Sequence, residues 1–372
     1  MKKIILDGRW IRSINIDGIG NFTLNIIKKL IQSDKNEYIL LLNSTEIEEK
    51  MFSNEFNSIR IIQVANSINS IKSILEIRKI IKEIKPDIYF SPCYSFLEMF
   101  LGNKIIKISV IHDLIPIIYS NLFKKASFKF KLFFCNKIAQ KIFISKIDKI
   151  ISVSESTKKD LNKYLGINLN KISVITEGFE SNNIDFDENY IKNKYNIDFE
   201  FFLFVGRHEI YKNIGKLIEI YSKLDIEIKN KYKLVIIGKF NENTNIFLEQ
   251  MNNLKEEKNI IFINSVSFDE LQFFYKKAKI LLHFSLYEGF GLTLLESMAN
   301  KTPVIAYNTS SIPEVVSDSG ILVEIDNEKQ IFNAIEKLLT DNEFYDFISK
   351  KGLERAKYFS WEKTKEQIEA IF

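Results

Sequence analysis

The chain has 372 residues, 46% of them hydrophobic and 27% charged, which is length enough for two ordinary domains with a buried core in each. A net charge of +4 suits anionic small molecules or an acidic membrane surface and is far too weak to argue for nucleic acid. Cys93 and Cys135 form no disulfide framework and no CxxC spacing, the start MKKIILDGRW has too short an apolar run for a signal peptide, and no segment reaches the roughly 18 apolar residues that span a bilayer, so a cytoplasmic protein is expected.

In chain order, KIILD reads as a strand, followed by a loop containing Gly18 and Gly20 and by the amphipathic stretch NFTLNIIKKLIQ. Similar units follow: YILLLN (38–43), IRIIQV (59–64), an amphipathic stretch over 68–84, PDIYFSP, KIIKISVIHD (104–113), KIISVS (149–154), ESTKKDLNKYLG and KISVITEG (171–178). Apolar strands alternating with helices predict a parallel sheet covered on both faces. Residues 179–199 are polar without a clear period and read as a linker. The pattern restarts with FFLFVG (201–206), KLVIIG (233–238), NIIFIN (259–264), KILLHF (279–284), TPVIAY (302–307) and GILVEI (320–325). The fold class is therefore α/β, with two Rossmann-like doubly wound parallel-sheet domains whose strand C-terminal ends face a cleft, where such architectures bind ligands.

The stretch HFSLYEGFGLTLLESMAN (283–300) follows one of these strands. Gly289 and Gly291 let backbone approach a ligand closely, and the helix they open presents unpaired N–H groups to which a diphosphate is suited. Glu288 lies in the turn and Glu296 about a turn and a half into the helix, two carboxylates able to accept hydroxyls from the two ends of a sugar nucleotide. The plainer reading is an acid favouring the helix dipole and a second, solvated acid. Spacing alone leaves both readings open.

EGFGLTLLESMANKTPVIA resembles the Glu-x7-Glu signature of the retaining GT-B glycosyltransferases of family four, the glycosyl transferases group 1. VGRHEIYKNIGKLI (205–218), SFDELQFFYKKAKILLHFS and SSIPEVVSDSGILV extend the resemblance around it. ILDGRW, GIGNF, VIHDLIP, SVSESTKKDL and VITEGFE are similar to the branch holding mannosyltransferases of surface-polysaccharide assembly. The resemblance implies an acceptor domain over 1–178, a linker over 179–199, a donor domain over 200–355 and a C-terminal helix over 356–372 that returns toward the first domain. It implies His112 and Glu288 at the donor sugar, Arg207 and Lys212 on the diphosphate, and Glu296 on the ribose. Gly18, Gly20, Gly206, Gly289, Phe290, Gly291 and Leu292 would line the donor site. The family's reaction implies retention of configuration, a nucleotide-sugar substrate, and neither cofactor nor metal.

The residue types agree with these roles. Fixed cations favour a departing diphosphate, and a neutral imidazole at His112 could give or take a hydrogen bond with a sugar hydroxyl. Many relatives of the family carry Arg where Tyr211 stands, so the second cation is either Arg207, its planar fork suited to phosphate, or missing. Relatives also read GIGRY where Asn21 stands. His208 neighbours Arg207 and could lie near the phosphates, while His283 is expected to pack in its strand.

Other chemistries fit less well. Three scattered His and two distant Cys offer no metal-ligand spacing; the Asp185–Asp187 pair falls in the linker and reads as solvated; no Walker A loop or GxSxG elbow occurs. Pro313 and Glu314 suit a helix's first turn and read as structural. Residues 121–149 interleave Lys with Phe and Ile. This is either a basic face lying on an anionic membrane, where a lipid-linked acceptor would be found, or an ordinary helix with its apolar side in the core. The expected activity is transfer of a hexose, GDP-mannose being the leading donor, to a glycan or lipid-linked hydroxyl. A nucleotide-sugar epimerase and a non-catalytic nucleotide-sugar-binding relative are the alternatives.

Overall fold

The computed structural model describes residues 1–12, 17–52, 59–68, 70–123, 127, 131–180 and 187–372. They form two compact units: Met1–Gly178 together with Ser360–Phe372, and Phe179–Phe359.

The first unit is built on β1 (Lys3–Asp7), β2 (Glu37–Leu42), β3 (Arg60–Gln63), β4 (Ile88–Ser91), β5 (Ile106–Ile111), β6 (Lys149–Ser152) and β7 (Ile172–Val174). All pair in parallel, in the order β3-β2-β1-β4-β5-β6-β7. Central strands such as IYFS are buried along their whole length, which is why they read as continuous apolar runs rather than alternating ones. The chain order reverses between β1 and β4, the switch point at which doubly wound sheets open a crevice. ILDGRW belongs to the core: Arg9 donates to both Asp7 carboxylate oxygens at 2.7 Å and to Ser73 Oγ at 2.6 Å, its side chain fully buried. The last helix, Trp361–Ile371, packs within this unit. Trp361 meets the Phe22 ring edge-on at 5.7 Å, Thr364 Oγ1 donates to the Thr176 carbonyl at 2.9 Å, and Lys35 pairs with Glu369 at 2.8 Å.

The second unit repeats the design with β8 (Glu200–Val205), β9 (Tyr232–Ile237), β10 (Ile260–Ile263), β11 (Ile280–His283), β12 (Val304–Tyr307) and β13 (Ile321–Val323), in the order β10-β9-β8-β11-β12-β13. Its switch point lies between β8 and β11. Here β8 and β9 turn into their loops so closely that a Cβ on Gly238 would stand 1.9 Å from the Gly206 carbonyl oxygen, so only glycine fits.

Two expectations need correcting. Gly18 and Gly20 do not lie in a loop: they are in the first turn of the helix Gly18–Ile31, which begins there because the Asp17 side chain accepts from the Gly20 N–H at 2.8 Å. The polar stretch 179–199, read as a linker without a clear period, contains the helix Glu188–Tyr195, capped by Asp187. Only Ile191 of that helix is buried, so no hydrophobic period marks it in sequence. Among the described residues no helix is long and apolar enough to cross a membrane.

Candidate active site

In the second unit the site residues gather at the switch point. The loop after β8 ends in a single 3-10 turn, Ile210–Lys212, closed by Asn213 in the left-handed region. The loop after β11 is tied to it where Leu286 N donates to the Tyr211 carbonyl at 2.8 Å. This juxtaposition brings Lys212 Nζ to 2.7 and 2.9 Å from the two Glu288 carboxylate oxygens. His283, the last residue of β11, places Nε2 at 2.9 Å from Glu288 Oε1. The Glu288 side chain is 10% exposed and that of Lys212 13%. Serines after β12 hold the backbone of the turn: Glu288 N donates to Ser310 Oγ at 2.9 Å, and Ser311 Oγ reaches the Glu288 and Phe290 carbonyls at 2.9 and 2.7 Å. Burial opposes ionisation of Glu288, but the Lys212 charge and the His283 hydrogen bond outweigh it and hold the carboxyl well below the usual range.

Gly291, at φ +117, is the N-cap of the helix Leu292–Ala299, a backbone conformation that a side chain would strain. Phe290 is buried edge-on against Phe359 at 5.6 Å, and Leu292 is half-buried in the helix's first turn. Glu296 is half-buried on that helix and accepts from Tyr275 Oη at 2.6 Å; burial raises its carboxyl above the ordinary value and the tyrosine offsets this only in part.

Arg207 stands outside this bonded cluster. Its side chain is 76% exposed and lies 3.3 Å from Glu209. Beside Lys212 the Tyr211 ring lies 5.6 Å from the ammonium. His208 is fully buried among Phe240, Phe247 and Phe262, with Nδ1 2.9 Å from Thr244 Oγ1, a packed position rather than an exposed phosphate ligand. His283 corrects the opposite expectation, since a residue read as strand packing touches the carboxylate at the centre of the site.

In the first unit His112 follows β5, with Nδ1 at 2.9 Å from Glu177 Oε1 and Nε2 at 2.9 Å from the Pro92 carbonyl. Its ring meets Phe22 edge-on at 4.9 Å. Both ring nitrogens therefore face acceptors within this unit. Glu177 itself escaped sequence reading. Its signal was position: VITEGFE sets an acid just past the end of β7, on the same sheet edge as VIHD.

Of the basic stretch, 124–126 and 128–130 lie outside the described residues. The helix Lys137–Ser145 buries Phe143 and Ile144 but leaves Ile138 73% and Ile142 47% exposed, beside the exposed Lys137, Lys141 and Lys146. Asp185 also lies outside the described residues, while Asp187 is occupied as a helix cap. Pro313 opens the helix Ile312–Val316, and the Glu314 carbonyl accepts from Arg355 at 2.6 Å. Among the described residues no three His, Cys, Asp or Glu side chains gather as a metal site.

The profile of Glycosyl transferases group 1 matches residues 185–355, and that of Glycosyltransferase Family 4 matches 16–182. Over 267 residues the chain is 30% identical to serotype-specific mannosyltransferase WbdA of Escherichia coli, covering 69% of this chain and 32% of that protein, so it spans about a third of the length of that relative. Among solved structures, sucrose-phosphate synthase from Thermosynechococcus elongatus has a TM-score of 0.77 at 17% identity, covering 100% of this chain and 98% of the other. Anabaena HepE in complex with UDP and glucose has a TM-score of 0.75 at 15% identity, covering 100% and 99%. At those identities the two structures speak for the fold alone. Two matched profiles, one on each parallel sheet, and an acid–lysine pair at the second sheet's switch point lead to one assignment: the chain belongs to the family-four, group 1 glycosyltransferases of GT-B architecture.

Proposed function

We propose that the protein is a retaining, metal-independent glycosyltransferase that moves a hexose, with GDP-mannose as the leading donor, to a hydroxyl of a glycan or lipid-linked acceptor in surface-polysaccharide assembly. The observation that carries this reading is the Lys212–Glu288–His283 cluster at the β8/β11 switch point. A carboxylate offers about four acceptor positions. Lys212 and His283 fill three, leaving one on Oε2 for a hydroxyl of the donor sugar. Two of the three Lys212 N–H groups hold Glu288, which leaves one to give to a phosphate oxygen.

As the bond between sugar and diphosphate breaks, negative charge collects on the leaving group. Lys212 and the N-terminus opened by Gly291 meet it without reorganising, and Arg207 reaches it from the surface. Ser310 and Ser311 keep the turn in place. Glu296, steadied by Tyr275, accepts the ribose hydroxyls, and His112 is assigned to the donor sugar. The mannosyl choice is supported by the likeness to WbdA, a mannosyltransferase by name; HepE, solved with UDP and glucose, keeps UDP-sugars in the test. A peripheral seat on an anionic membrane surface is supported by the Lys137–Lys146 face, where exposed Ile138 and Ile142 stand among lysines.

The test is release of nucleoside diphosphate from GDP-, UDP- and dTDP-sugars with pooled lipid-linked acceptors, with and without EDTA, followed by NMR assignment of the product anomer. Acceptor-dependent release, unaffected by EDTA and giving the donor's own anomeric configuration, is expected. Consumption of donor without acceptor, or an inverted product, would overturn the reading.

A further inference from the structure

We propose that Glu177 and the Pro92 carbonyl hold His112 as an imidazolium, so that the first unit supplies a fixed cation rather than a proton shuttle, with Glu177 as its positioning residue. A backbone carbonyl oxygen has no proton to give, so Nε2, 2.9 Å from Pro92 O, must carry one. Nδ1 lies at the same distance from a Glu177 carboxylate oxygen. A neutral imidazole owns a single N–H and would turn its bare nitrogen's lone pair onto one of these acceptors. The doubly protonated ring satisfies both.

The setting closes around that state. Glu177 is buried and the His112 side chain is only 11% exposed, so little water can substitute for either partner. The three groups come from the ends of three strands: Pro92 after β4, His112 after β5 and Glu177 after β7. Phe22 presents its ring edge-on to the imidazole, and Thr157 Oγ1 donates to the His112 carbonyl at 3.3 Å, fixing the backbone as well. Two acids, Glu177 and Asp113, act on the ring. Burial pulls the imidazole's pKa down, but the Glu177 hydrogen bond and charge and the Pro92 carbonyl together lift it above the ordinary histidine value. With both N–H groups engaged, the ring neither takes a proton from a sugar hydroxyl nor gives one without first breaking a buried hydrogen bond. The part of the donor that approaches this sheet edge meets positive charge already in place.

The chemical use rests on the glycosyl-transfer reading; the proton count does not. The chain contains three histidines, so long-range 1H–15N correlation on histidine-labelled protein resolves them, and loss of one ring in His112→Asn assigns the signal. In the wild type both His112 nitrogens are expected to be protonated at pH 6.5. In Glu177→Gln the ring's proton affinity falls by about tenfold or more, one pKa unit, and Glu177→Asp recovers part of it. In active enzyme, Glu177→Gln adds to the kcat–pH profile an ionisation that the wild type lacks. A bare His112 nitrogen at pH 6.5 in the wild type would overturn the proposal, as would a titration that Glu177→Gln leaves in place. Should Glu177→Gln fail to fold, the wild-type spectrum alone decides. A protonated ring in a protein that turns over no nucleotide sugar removes the function proposed above and leaves this inference standing; a bare nitrogen in an active enzyme does the reverse.

Discussion

His112–Glu177 in the first unit and His283–Glu288 in the second are the same residue pair at the same 2.9 Å separation, and they differ in what surrounds the second nitrogen and the acid. In the first, the far nitrogen faces a carbonyl, which demands another proton on the ring. In the second, Lys212 already supplies the positive charge, and His283 Nδ1 is buried with no hydrogen-bond partner among the described residues. His283 thus meets a single acceptor, Glu288, and the positive charge beside that carboxylate comes from Lys212. What each ring is asked to donate is set by the partner opposite its contact with the acid, and that partner is invisible in a list of motifs.

The largest stability effect is expected from Lys212→Met, which leaves Glu288 buried without its counter-charge: a loss of about 3–5 kcal/mol in denaturant unfolding, most of it recovered when Glu288→Gln is added. Next is His283→Phe, which keeps a ring stacked near Phe204 but removes the donor to the carboxylate. It should cost about 1.5–3 kcal/mol and lower kcat, whereas a histidine that merely packs in its strand would tolerate the change.

The pairs should also part company with pH. The folded pKa of His112 is raised, so its contribution is complete below the unfolded value of about 6.5 and is lost as pH rises through the folded value. That of Glu288 is depressed, so its contribution is complete above about 4.3 and is lost only as pH falls well below the usual carboxylate range. Unfolding followed between pH 6 and 9 should therefore show a decline that Glu177→Gln flattens and Glu288→Gln does not. The smallest stability effect belongs to Arg207→Ala. With the side chain so exposed, the denaturation midpoint should stay in place while donor affinity, read by calorimetry, falls. Unchanged affinity would confine the guanidinium to its surface pair with Glu209.

Each apolar run singled out in the sequence corresponds to a strand, because strands buried on both faces carry their signal locally. What escaped was short or non-local. The helix Glu188–Tyr195 buries one residue and so has no period. The helix at Gly18 is announced by Asp17, a cap easily passed over when glycines suggest a loop. EGFGLTLLES and its upstream segment put forward Glu288, Glu296 and Lys212, of which the structure joins Lys212 to Glu288. The proton on His112 was not legible, because it depends on Glu177, 65 residues away. His283 was misjudged because strand alternation tells which way a side chain points but not which loop folds over it.

The role of Glu288 is decided by comparing acceptor-dependent release of nucleoside diphosphate by the wild type and by Glu288→Gln, which keeps the shape and removes the charge. A loss of about 100-fold or more in kcat, with nucleotide-sugar binding still detectable by calorimetry, is the predicted result. Turnover within a few-fold of wild type would contradict a catalytic role for the Glu288–Lys212 pair and move the chemistry elsewhere in the chain.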